Sequence, residues 1–186
     1  MPKIYVAFVD TPGLFASVIR HVLHQKYIHV VLSFDEKLDN AYSFGRRNPF
    51  IPFFAGMEKE NKRMIARAFP EADYMICEID CTDDHKKWLQ QQVAYDYERR
   101  WHTHYAVCSL PFIWRQKAFF QKRHYTCSSY LAWLLGEVGI VDFHKHFSIV
   151  TPKDFYLWSE KSVIYEGRLT DFVAESTAVT EVIYEG

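Results

Sequence analysis

Apolar positions recur along this chain in two rhythms, and the switches between them outline its elements. Near the start, KIYVAFV is a continuous apolar run, the pattern of a buried strand. TPGLFASVIRHVLHQ follows in a helical rhythm. Leu14, Phe15, Val18, Ile19, Val22 and Leu23 form one stripe, and Pro12 suits a first turn. IHVVLSF, rich in β-branched residues, returns to the strand pattern. DEKLDN supplies a turn, and AYSFGRR predicts a third strand that closes a hairpin. Asn48, Pro49, Pro52 and Gly56 predict an irregular stretch beyond it.

EKENKRMIARAF predicts a short helix with Pro70 just past its end, and ADYMICEIDC another strand. TDDHKKWLQQQVAYDYERRW predicts a long helix. Thr82 can cap it, Asp83 and Asp84 suit the positive end of its dipole, and Leu89, Val93, Tyr97 and Trp101 share a face. Residues 102–125 are aromatic and mixed, with no clear period. TCSSYLAWLLGEVG has the sharpest helical pattern: Thr126 or a neighbour caps it, Tyr130, Leu131, Leu134, Leu135 and Val138 bury one side, and Gly139 stops it. SVIYEG near residue 165 predicts a strand, and the closing EVIYEG echoes it, as an edge strand or a copied tail. This order predicts an α+β domain with a mostly antiparallel sheet packed against helices. Residues 1–175 would form that single domain and 176–186 a C-terminal tail or edge strand.

Composition narrows the function. A chain of 186 residues, 49% apolar and 17% aromatic, can bury a core and is not disordered. A net charge of −1 gives no overall basic field for nucleic acid. NKRMIAR reads as a solvated helix face. No run of about eighteen apolar residues predicts a membrane span, and MPKIYVAFVD reads as a first strand and not as an export signal. The expectation is a cytoplasmic protein without stable membrane insertion. Cys77, Cys81, Cys108 and Cys127 lack the spacing of a disulfide framework, and Cys77 and Cys81 read as reduced and structural. The pairs His21 and His24, His102 and His104, His144 and His146 lie in helix or loop contexts without a carboxylate at ligand spacing, so neither metal nor cofactor is expected. The absence of a phosphate loop, a G-x-S-x-G elbow and a C-x-x-C pair argues against nucleotide enzymes, serine hydrolases and thiol-redox enzymes.

Two residues remain with chemistry to offer. Cys127 sits at a predicted helix start, where free amide protons and the helix dipole favour an anion and lower a thiol pKa. Amides of the same turn, beside Thr126 and Ser128, can hold an oxyanion. His29 opens a strand, where a histidine is commonly a satisfied core or edge residue. A nucleophilic cysteine needs a base, however, and that base is usually distant in sequence. A strand also holds a base rigidly. His124, three residues before Cys127, is the rival, but a helix start tends to point it away from the sulfur.

IHVVLSFDEKLDNAYSFGRRN, YTCSSYLAWLLGEVGI and VTPKDFYLWSEKSVIYEGRL, in that order, resemble the circularly permuted branch of the NlpC-type papain-like cysteine hydrolases. That branch includes YiiX-like proteins and is related to the lecithin retinol acyltransferase group. The resemblance spans residues 3 to 172, and the histidine strand precedes the cysteine helix, as in the permuted order. It implies a papain-like fold, Cys127 as nucleophile and His29 as general base. A third polar group would orient the imidazole. Glu60 is the first candidate and Ser43 the second. A hairpin turning at EKLD sets residues near Arg46 across from His29, which turns Ser43 to the opposite face.

The resemblance implies covalent acyl transfer from an amide through a thioester, on a small peptide or a cell-wall-derived fragment. The same chemistry serves a thiol acyltransferase or a lipid-amide hydrolase, for which the aromatics of YAVCSLPFIWRQKAFF could line a groove. A third reading is a binding domain that kept the fold without the chemistry.

Overall fold

The computed structural model describes residues 1–12, 20, 25–48 and 51–184. The helix expected from TPGLFASVIRHVLHQ, with His21 and His24 on it, lies outside the described residues.

Six strands form one antiparallel sheet. Its centre is β1 (Lys3–Asp10), flanked by β2 (His29–Ser33) and β5 (Asp73–Asp80). Beyond β2 come β3 (Ala41–Asn48) and the edge strand β4 (Ile51–Lys59), and beyond β5 the other edge, β8 (Ser162–Arg168). Apolar runs predicted β1, β2 and β5, and these are the strands buried on both faces. The register places Val6 opposite Leu32 on one side and opposite Cys77 on the other.

Helices cover both faces, so α+β describes the architecture. One face buries Val6, Phe8, Val30, Leu32, Phe44 and Met57 under α2 (Asp83–Glu98), α4 (Cys127–Glu137) and α5 (Pro152–Leu157). From these helices come Leu89, Val93, Leu134, Leu135 and Phe155, all at most 1% exposed. The other face buries Val9, Val31, Ala41 and Ile76 beneath α1 (Lys62–Ala68) and α6 (Leu169–Tyr184), with Ala66, Leu169 and Phe172 packed on them. Caps follow the sequence signals. Asn61, Thr82 and Thr126 each accept a backbone N–H of the first turn, and Gly139 sits at φ 69° just past α4.

Three expectations change. The stretch around Pro52 and Gly56 is the strand β4, because an edge strand tolerates a residue that cannot donate to a ladder. A register shift between Arg46 and Asn48 absorbs the irregularity. Trp101 does not continue the buried face of α2, which ends at Glu98. It lies in a 3₁₀ turn, 58% exposed, with the Arg47 guanidinium 4.4 Å above its ring. Residues 181–184 of the closing echo of SVIYEG are helical and not an edge strand, since the backbone continues as α6 through Tyr184. Residues 102–125 hold two short pieces, β6 (His104–Tyr105) and β7 (His124–Tyr125), paired in parallel, with α3 (Leu110–Trp114) between them.

Candidate active site

Cys127 opens α4 and His29 opens β2, and the fold brings the two side chains close enough for each charge to act on the other. The local reason for the cysteine's position is a capping box. Thr126 Oγ1 accepts the Ser129 N–H at 3.1 Å, and Ser129 Oγ accepts the Thr126 N–H at 2.8 Å. Cys127 therefore occupies the first residue of the helix, at the positive end of its dipole. The β2–β3 ladder runs through Leu32↔Tyr42 and Ser33↔Ala41, and beyond those pairs the Val30 amide favours the Cys127 anion.

Cys127 is 5% exposed, while 24% of the His29 side chain remains open. Burial pushes the Cys127 thiol up. The His29 charge opposite, and the amides of Val30 and Ser128, outweigh it and bring the thiol below its ordinary range. Burial also disfavours a charged His29. The Cys127 anion first, and Glu60 second, reverse this and raise the imidazole above its ordinary value. Each shift supports the other, so the pairing favours the thiolate and the imidazolium together.

Both candidates for the third group touch the imidazole. His29 Nε2 is 3.1 Å from Ser43 Oγ and 3.4 Å from Glu60 Oε1. Ser43 Oγ in turn donates to the Glu60 carboxylate. The expectation that Ser43 faces away is corrected by the register. Leu32 opposite Tyr42 carries His29 to Gly45 and not to Arg46, and a slip of one residue exchanges the two faces of a strand. Ser43 thus shares the side of His29. Glu60, just past β4, is held there by its own N–H on the Ala41 carbonyl at 2.8 Å.

Gly45 is a site residue that the sequence reading missed. A Cβ there would lie 3.2 Å from His29 Cε1 and 3.3 Å from Ser43 Oγ. A glycine inside a strand was the available signal, since it marks a close approach. Tyr105 was missed as well. It comes from β6, in the stretch without a period. Burial raises its phenol pKa, and the neighbouring Cys127 charge raises it further.

The hydroxyls of Thr126 and Ser128 are committed to structure. Thr126 caps α4, and Ser128 Oγ donates to the Val150 carbonyl at 2.7 Å. Any oxyanion contact from this turn therefore falls to its backbone, where the Cys127 N–H lies beside the sulfur. His124 is turned elsewhere. Its Nδ1 lies 3.0 Å from the Lys122 carbonyl, and its ring faces His104 at 5.1 Å. His144 meets Asp142 at 3.1 Å, and His146 caps a 3₁₀ turn. Among the described residues no three His, Cys, Asp or Glu side chains cluster as metal ligands. Cys77 and Cys81 are free and buried, and Cys108 is free and exposed. No described helix is long and apolar enough to cross a membrane.

A cleft of about 170 Å³ lies beside this centre, lined among others by Tyr105, Ser109, Phe119, His124 and Ser129. The chain matches no family model, no curated protein and no solved structure.

Proposed function

We propose that this chain is a cysteine hydrolase of the permuted papain-like type, cleaving an amide of a small peptide or cell-wall-derived fragment through a thioester. The observation that carries the reading is the convergence of Cys127 and His29 from distant parts of the chain, with Nε2 of the histidine held by Ser43 and Glu60. A structural cysteine needs no such partner. Cys77, where burial outweighs the nearby Lys161 charge, is pushed up to about 11.

In this reading the Cys127 thiolate attacks the carbonyl carbon, and the oxyanion accepts a hydrogen bond from the Cys127 N–H. The imidazolium gives its proton to the leaving amine as the C–N bond breaks, and a thioester remains. His29 then takes a proton from water as the water attacks the thioester. The intermediate collapses, the C–S bond breaks, and the acid leaves with the thiolate and imidazolium restored. Ser43 and Glu60 keep the ring aimed through both steps.

The test is the rate of Cys127 alkylation by iodoacetamide against pH, in a Cys108→Ser background because Cys108 is exposed. Reaction well below pH about 8, moved upward by His29→Ala, is expected from a free thiol value of about 8.5. An ordinary thiol profile indifferent to His29 overturns the reading and leaves a binding domain.

A further inference from the structure

From Arg99 to Gly136 the sequence holds six arginine and lysine residues and no aspartate or glutamate, although the whole chain carries −1. Four of the six sit on one lobe. α3 runs outward, the chain reverses at Gln116, where φ is 52°, and a return limb leads through Arg123 to β7 and the Thr126 cap. Ile113, 6% exposed, anchors the lobe, and every residue from 114 to 123 is exposed. Trp114 is 70% exposed at the turn, and Phe119 and Phe120 are 38% and 41% exposed on the return limb. Phe112 and Phe119 stack across the reversal at 4.5 Å. Among the described residues no carboxylate pairs with Arg115, Lys117, Lys122 or Arg123.

Large apolar side chains left in water among unpaired cations are costly in a free-standing protein and favourable at a charged interface, where aromatic rings enter the headgroup layer and cations meet phosphates. We propose that the lobe of residues 110–123 docks on an anionic lipid surface. Its charge excludes the same lobe of a second copy. Single-stranded nucleic acid is disfavoured because bases need open ring faces, and Phe112 and Phe119 cover each other. Phe119 also lines the cleft that Ser129 of α4 lines, so docking brings that cleft to the lipid surface. The docking rests on the lobe alone and does not depend on the hydrolase reading.

Full-length protein would be sedimented with vesicles of phosphatidylcholine, with and without phosphatidylserine, at low and high salt. Binding only to the serine-lipid vesicles, released by salt, is expected. Each cation near such a surface contributes about fivefold in affinity, so Lys117→Gln with Lys122→Gln weakens binding about 25-fold. A blue shift of tryptophan emission on binding, lost in Trp114→Phe, is also expected. These positions are exposed, and unchanged thermal melting of the variants keeps the comparison valid. Absence of sedimentation, equal binding to phosphatidylcholine alone, or binding untouched by the lysine variants overturns the proposal. So does capture of a single-stranded RNA oligonucleotide through the same lysines without vesicle binding.

Discussion

If His29 is charged because Cys127 is, then removing the sulfur's charge must discharge the ring. Cys127→Ser keeps the size and hydrogen-bonding capacity of the side chain but cannot supply an anion near neutral pH. Two unit charges at about 3.5 Å interact by about 5 kcal/mol when the effective dielectric is about 20. One pKa unit is about 1.4 kcal/mol, so the gross effect is about three units. Solvent reaches 24% of the His29 side chain, and this screening brings the expected fall to about two units. Burial, the one influence that opposes the charged ring, is then countered by Glu60 alone. The assay is an NMR titration of the imidazole Cε1–H resonances, with His29 assigned through His29→Gln. In the wild type the His29 signal should stay in the imidazolium position past neutrality. In Cys127→Ser its titration should fall by about two units, and in Glu60→Gln it should move by a smaller step. A His29 titration unchanged by Cys127→Ser, or moved more by Glu60→Gln, would refute the assignment of the sulfur as its principal partner.

The ion pair should also shape stability against pH. The raised His29 contributes fully below its unfolded pKa of about 6.5 and loses that contribution as pH rises through its folded value, while the lowered Cys127 contributes fully above about 8.5 and loses it as pH falls through its folded value. The difference in melting temperature between wild type and a Cys127→Ser, His29→Gln double variant should therefore peak between those pH values and shrink on both sides; a monotonic difference would contradict the pairing. Gly45→Ala should cut the rate of Cys127 alkylation below pH 7 by about tenfold, since a ring displaced by the new Cβ supports the thiolate less well by about 1.4 kcal/mol, with urea unfolding as the control for fold. Ser128→Ala should cost about 1–3 kcal/mol in urea unfolding, because it strands the buried Val150 carbonyl, while leaving the alkylation profile in place.

Much of the framework was legible because its signals are local. β1, β2 and β5 declare themselves as apolar runs, and α2 and α4 by a threonine cap, a periodic stripe and, for α4, a terminal glycine. β4 was not legible, because its proline signal means irregularity in general and edge position only once the sheet order is known. The pieces between His104 and Tyr125 were not legible either. A two-residue parallel pairing leaves no period to read.

The site divides along the same line. The sequence by itself placed a cysteine at a helix start and a histidine at a strand start, because capping and strand burial act over a few residues. Glu60 and Ser43 could be offered as orienting groups, but hydrophobic pattern alone left the β2–β3 register uncertain by one residue, and one residue decides which face Ser43 occupies. Only the tertiary structure decided that Ser43 and Glu60 both reach Nε2 and that Gly45 leaves room for the ring. It also decided that a buried thiol and a partly open imidazole share one place. Their charges then depend on separation and on burial, and a linear pattern specifies neither quantity.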